Sequence, residues 1–134
     1  MQITRQADYA VRAVLYLAQL GPDEKASTSQ IAEEKDIPLS FLAKIIAQLS
    51  VAGLLQTMRG ARGGVTLARS PQDVSLLEVI EAIDGPILVN ECVSDSYDCS
   101  QHGCVMRPIW QETQADLVNR LKATTFDQFV QEKV

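Results

Sequence analysis

Residues 27–68 read STSQIAEEKDIPLSFLAKIIAQLSVAGLLQTMRGARGGVTLA, and the order of elements within this stretch decides the fold. Ser27-Thr28-Ser29-Gln30 is a capping box: a hydroxyl side chain, then a glutamine three positions on. It predicts a helix from Gln30 to about Lys35. Asp36-Ile37-Pro38 is a turn. From Leu39 to Leu49 the side chains Phe41, Leu42, Ile45, Ile46 and Leu49 recur at helical spacing, and Gly53 ends that helix. Leu54 to Thr57 and Gly64 to Ala68 are short and strand-like. The connection Arg59-Gly60-Ala61-Arg62-Gly63-Gly64 carries three glycines and two arginines, so the pair reads as a β-hairpin around a tight turn. Helix, turn, helix and hairpin, in that order, make a winged helix-turn-helix.

Outward from this core, Thr4 to Leu20 places Ala10, Val11, Val14, Leu15, Leu17 and Ala18 on one helical stripe. Thr4 is its cap and Gly21-Pro22 its stop. Ser75-Leu76-Leu77-Glu78 is a second capping box, opening a helix that runs to about Asp84 before Gly85-Pro86. Residues 87–104 lack periodicity and read as a loop. From Val105 to Ala123, Ile109, Trp110, Thr113, Leu117 and Leu121 form a stripe with nothing local to cover it, which predicts packing against a partner. Thr125-Phe126-Asp127-Gln128 caps a short terminal helix. The expected fold is mainly α with a small β-hairpin: a winged helix-turn-helix followed by a long C-terminal dimerisation helix. Residues 1–75 form the DNA-binding part, 76–104 the linking helix and cysteine loop, and 105–134 the dimerisation and C-terminal helices.

The chain has 134 residues, enough for one domain, and 46% of them are hydrophobic, enough for a core. Its most apolar run, Tyr9 to Leu20, is broken by Arg12 and too short to span a bilayer. Asp8 and Arg12 also exclude a signal peptide, so a cytoplasmic protein without a membrane partner is expected. The net charge is −5, yet residues 37–72 hold Lys44, Arg59, Arg62 and Arg69 and no acid, while residues 78–98 hold six acids and no base. Charge divided this way favours one anion-facing surface on an acidic body. The second helix of a helix-turn-helix enters the major groove, which puts Ser40 and Lys44 in reach of bases and phosphates. Phe41 either joins the core or touches a thymine methyl. In the wing, Arg59 and Arg62 flank Gly60-Ala61; glycine lets the backbone approach phosphate closely, and an arginine at a wing tip suits a narrow minor groove.

Cys92, Cys99 and Cys104 are the only cysteines, and all lie in the non-periodic loop. No Cys-x-x-Cys is present, which disfavours a zinc ribbon or a thioredoxin-like site. In a reducing compartment such a cluster points to metal or redox sensing, and three thiolates on a loop suit an iron–sulfur cluster whose fourth ligand comes from elsewhere. His102, the only histidine, is one candidate; a carboxylate such as Asp8 or Glu33 is another. Idle thiols, or a disulfide with one spare cysteine, are the alternatives. A thiol enzyme would need an electropositive pocket, and this loop is acidic, so an enzyme is not expected.

Taken together, Met1-Gln2-Ile3-Thr4, Asp8-Tyr9-Ala10-Val11-Arg12-Ala13, Ile37-Pro38-Leu39-Ser40-Phe41-Leu42, Gly53-Leu54-Leu55, Arg59-Gly60-Ala61-Arg62-Gly63-Gly64, Leu76-Leu77-Glu78-Val79-Ile80 and the three-cysteine loop resemble the IscR/NsrR-type winged-helix transcription regulators over about residues 1–130. The resemblance implies a homodimer held by the long helix after the cysteine loop. It implies a double-stranded DNA operator of two-fold symmetry, bound by the third helix and the wing, and an iron–sulfur cluster whose state changes DNA affinity in response to redox, nitric oxide or iron status. Relatives with a 2Fe–2S site carry a histidine three residues after the last cysteine, where this chain has Arg107. Relatives with a 4Fe–4S site use an aspartate, matched here by Asp8, from the partner subunit. A 4Fe–4S cluster on Cys92, Cys99, Cys104 and Asp8 is therefore favoured over 2Fe–2S, with His102 a weaker ligand. The middle cysteine is displaced by about one residue from the usual spacing. A cluster-free relative controlled by thiol oxidation, a simple metal or a partner protein is the alternative.

Overall fold

The computed structural model describes residues 2–22, 24–94 and 104–131. Within them lie α1 (Arg5–Leu20), α2 (Thr28–Lys35), α3 (Leu39–Val51), the antiparallel strands β1 (Leu55–Met58) and β2 (Gly64–Leu67), α4 (Leu76–Asp84) and α5 (Arg107–Ala123). Short 3-10 turns cover Pro71–Asp73, Glu91–Val93 and Phe126–Phe129. This is the mainly helical winged helix-turn-helix that the sequence predicts.

Local chemistry sets most of the boundaries. Ser27 caps α2 by accepting the Gln30 N–H at 3.0 Å. In a capping box the glutamine is the third helical residue, so α2 starts at Thr28, two residues ahead of the sequence expectation. Asp36 ends α2 in the left-handed region at φ 52°, which a short polar side chain tolerates. Helix α3 runs on past Leu49 to Val51, and the Ser50 hydroxyl donates to the Ile46 carbonyl at 2.8 Å in its last turn. Pro108 in the first turn of α5, where no intrahelical donor is needed, accompanies a start at Arg107 instead of Val105. The terminal element is a 3-10 turn, with Phe126 buried at its start.

One continuous core joins α1 (Ala10, Ala13, Val14, Leu17), α3 (Leu42, Ile45, Ile46, Leu49), the hairpin (Leu55, Val65), Val74, Val79 and Phe126. Small residues on α1 let neighbouring helices approach closely. A satellite cluster sets Ala7, Leu77, Ile80 and Ile87 against Leu117, Val118 and Leu121 of α5. Backbone pairing also closes the chain end onto the body: Leu76 N–H donates to the Thr124 carbonyl at 2.8 Å, and Phe126 N–H to the Val74 carbonyl at 3.2 Å. None of the residues of α5 is fully buried within one chain, and Met106 and Ile109 stand about half exposed near its start.

Candidate nucleic-acid interface and cysteine loop

The apolar stripe of α3 fixes which way its other residues face. With Leu42, Ile45, Ile46 and Leu49 held in the core, Ser40, Phe41 and Lys44 are left exposed. Phe41, 45% exposed, lies 6.5 Å ring to ring from Tyr9 of α1, and the Arg12 guanidinium stands 5.7 Å over that same Tyr9 ring. It is therefore a surface residue propped by α1, not a core residue. Lys44 borders a shallow cavity with Thr4, Gln6, Gln48 and Asp84. Asp84 is already engaged there: it accepts the Thr4 N–H at 3.3 Å and the Thr4 hydroxyl at 2.5 Å, while that hydroxyl oxygen caps α1 by accepting Ala7 N–H. This ties the start of α1 to the end of α4.

The wing is built with little freedom. Met58 pairs with Gly64, leaving Arg59-Gly60-Ala61-Arg62-Gly63 as the connection. Gly60 adopts φ 103°, and its carbonyl accepts the Gly63 N–H at 2.9 Å. A Cβ on Gly63 would meet the Met58 carbonyl oxygen at 2.2 Å. Arg59, Gly60 and Arg62 are all exposed. Just inside the connection the hairpin is pinned to the segment before α2 by an isolated bridge: Val65 N–H donates to the Ala26 carbonyl at 2.7 Å and Ala26 N–H to the Val65 carbonyl at 3.2 Å. The Lys25 ammonium donates to the Arg62 carbonyl at 2.6 Å. Reading cations only between residues 37 and 72 overlooks Lys25, whose one visible signal is its place just before the capping box. Arg69, counted in that basic segment, is turned away from any such role by a 2.7 Å pair with Glu78.

Cys92 lies in the 3-10 turn Glu91–Val93 and Cys104 precedes α5; both thiols are free and partly exposed. Cys99 and His102 lie outside the described residues. The entry to the loop is fastened by Gln114 of α5, which accepts Val89 N–H at 2.9 Å and donates to the Ile87 carbonyl at 2.5 Å. Sequence reading passed over Gln114, although a polar residue on the same face as Trp110 and Leu117 signals a backbone partner. Asp8 sits in the first turn of α1, about half exposed, and pairs with Arg12 at 2.8 Å. Among the described residues of one chain, no three histidine, cysteine, aspartate or glutamate side chains are grouped to hold a metal. Nor does any described helix have the length and apolarity to cross a membrane.

Comparison with known proteins agrees with this fold. The model of the Rrf2 family, described as iron-dependent transcriptional regulators, matches residues 3–132. The chain is 32% identical over 109 residues to the HTH-type transcriptional regulator NsrR of Bacillus subtilis, covering 81% of this chain and 72% of that protein. It is 30% identical over 125 residues to a putative HTH-type regulator of Aquifex aeolicus, covering 91% and 86%. Among solved structures, CymR, the global cysteine regulator of B. subtilis, superposes with a TM-score of 0.85 at 21% identity over 100% of this chain and 99% of that one. T. potens IscR superposes at 0.79 with 26% identity, over 98% and 88%. The chain belongs to the Rrf2 family of transcriptional regulators, and these relatives are regulators, not enzymes.

Proposed function

We propose that this member of the Rrf2 family is a cytoplasmic, homodimeric DNA-binding regulator that senses redox, nitric oxide or iron status through an iron–sulfur cluster. Residues 1–75 read DNA, 76–104 carry the linking helix and the three cysteine ligands, and 105–134 join the subunits. The observation that carries the DNA-reading half is the exposure of Ser40, Phe41 and Lys44 on α3 and of Arg59, Gly60 and Arg62 on the wing, all within residues 37–72, which hold no acid. In a two-fold dimer the two α3 helices meet successive major-groove faces, and half-site spacing fixes the angle between subunits. Lys44 and the wing arginines hold phosphates or the minor groove, while Ser40 and Phe41 touch base edges.

The residues present fit a cluster by donor chemistry. Cys92 and Cys104 are free thiols with solvent access, at the two ends of the segment that holds Cys99. Asp8 is exposed and, among the described residues, is not grouped with Cys92 and Cys104 in one chain, which supports its role as a ligand offered to a second copy after giving up Arg12. Bound there, a cluster would supply a redox- and nitric-oxide-reactive group joining the two subunits. Asp8 lies one turn before Arg12, and Arg12 and Phe41 both contact Tyr9, so a ligand pull on α1 bears on the recognition helix. Small rotations between subunits suffice to mismatch half-sites.

A second reading keeps DNA binding and removes the cluster, with thiol oxidation, a simple metal or a partner protein as the signal. It is favoured by the Asp8–Arg12 pair and by Arg107 standing where a histidine ligand is expected. An absorption spectrum with iron and sulfide counts on protein purified without oxygen separates the readings. About four irons per subunit supports the 4Fe–4S site with Asp8, and about two a 2Fe–2S site with His102 reconsidered as ligand. A colourless, iron-free protein that still binds DNA supports the second reading.

A further inference from the structure

Lys25 reaches the wing at two levels. Its Cβ lies 3.3 Å from where a Cβ on Gly64 would stand, so the base of its side chain lies along the strand. Its ammonium caps the Arg62 carbonyl at 2.6 Å. Its neighbour Ala26 carries the backbone bridge to Val65. The segment before α2 thus grips the start of β2 and reaches past it to the one residue that sits between Ala61 and the sterically closed Gly63.

We propose that Lys25 is a positioning residue for the wing, aligning the Arg59 and Arg62 side chains for DNA through its bond to the Arg62 carbonyl. This rests on the DNA-reading assignment above. A carbonyl oxygen in an exposed turn loses little in water, so the bond matters less for folding than for orientation. Without it, the loop from Arg59 to Gly63 keeps the Gly60–Gly63 bond but rotates as a unit about the strand ends. With it, the loop is fixed to the body that also carries α3, so wing and recognition helix meet DNA in a set relation. The wing then loses less conformational entropy on binding. Because Lys25 acts through the wing arginines, its contribution disappears when they are absent; an independent phosphate contact would add to theirs.

The test is a double-mutant cycle on the purified full chain, using the best-bound duplex recovered by the wild-type protein from a random-sequence pool. Fluorescence anisotropy at fixed salt reads the affinity. Lys25→Met keeps the stem and removes the ammonium. We expect a loss of about five- to tenfold, the cost of ordering about one or two rotamer-rich side chains on binding. Lys25→Arg should restore most of it, with the melting temperature of both variants near wild type. In an Arg59→Ala/Arg62→Ala background, Lys25→Met should cost less than about twofold. A full additional loss in that background would overturn the proposal in favour of a separate phosphate contact. An unchanged affinity for Lys25→Met, with Arg59→Ala/Arg62→Ala weakened, would overturn it while leaving the wing assignment intact. If the double arginine variant itself bound normally, the wing assignment would fall and this proposal with it.

Discussion

Replacing Gly63 with alanine disturbs the wing without touching a charge. The new Cβ falls 2.2 Å from the Met58 carbonyl oxygen and 2.9 Å from both the Arg59 carbonyl carbon and the Gly60 carbonyl oxygen. All three are backbone atoms, so no side chain can swing aside. The turn must open, and the first bond to break is that from Gly63 N–H to the Gly60 carbonyl, at 2.9 Å. Overpacking of this kind costs about 1–3 kcal/mol in a closed core. Here the connection itself is exposed at residues 59–62, while Leu55 and Val65 of the strands are buried, so the clash is relieved by movement of the connection alone. What remains is close to the loss of one exposed turn bond, about 1 kcal/mol, or a fall of about 4 °C in melting temperature for a chain of this size. The effect on DNA is larger, because the arginines on either side of Gly60-Ala61 are displaced. Affinity should drop about tenfold or more, and the dependence of log affinity on log salt should become shallower by about one for each arginine that no longer reaches a phosphate. Anisotropy titrations at two salt concentrations, beside a thermal melt, measure both. A Gly63→Ala protein that melts lower yet binds DNA with wild-type affinity and salt slope would refute the argument that the turn geometry places the arginines.

Arg59 and Arg69 carry the same charge and should behave oppositely. Arg59→Ala is expected to weaken DNA binding about tenfold with iron content unchanged, whereas Arg69→Ala, which breaks a pair about 40% exposed on each side, should cost well under 1 kcal/mol of stability and leave DNA affinity near wild type; equal losses of binding would contradict the division. Cys92→Ala should abolish iron binding while the protein stays folded and dimeric, as read by iron count and sedimentation; full iron retention would remove Cys92 from the ligand set. Ile109→Asp places a charge on the half-exposed apolar face of α5 and should shift the dimer to monomer at micromolar concentration, and an unaltered sedimentation profile would show that this face is not the subunit contact.

What could be read in advance follows the range of the interactions. The buried set of α3 and the caps Thr4, Ser27 and Ser75 depend on neighbours three or four residues away, so periodicity and capping rules find them. The ties that assemble these pieces depend on the closed fold. Thr4 and Asp84 are 80 residues apart and Lys25 and Arg62 are 37 apart. The Ala26–Val65 and Ser75–Thr125 bridges are of the same kind. No local pattern marks any of them. The basic segment was legible as a charge count, but that count could not separate Arg69, paired to Glu78, from the exposed Arg59 and Arg62. The cysteine loop was legible only as chemistry. Its residues follow no periodicity, and its entry is fastened by Gln114, a residue of α5 that is 25 positions from Val89 in the chain.

The central claim is that a DNA-reading face is coupled to a cluster held between subunits, and one measurement addresses that link. The affinity of oxygen-free protein for its selected duplex should be determined before and after removal of iron, at the same salt and with the dimer confirmed in both states. A change in dissociation constant of about 5- to 150-fold is expected, the usual range for coupled sites. Equal affinities in the two states would contradict the proposed coupling, as would a protein that never holds iron.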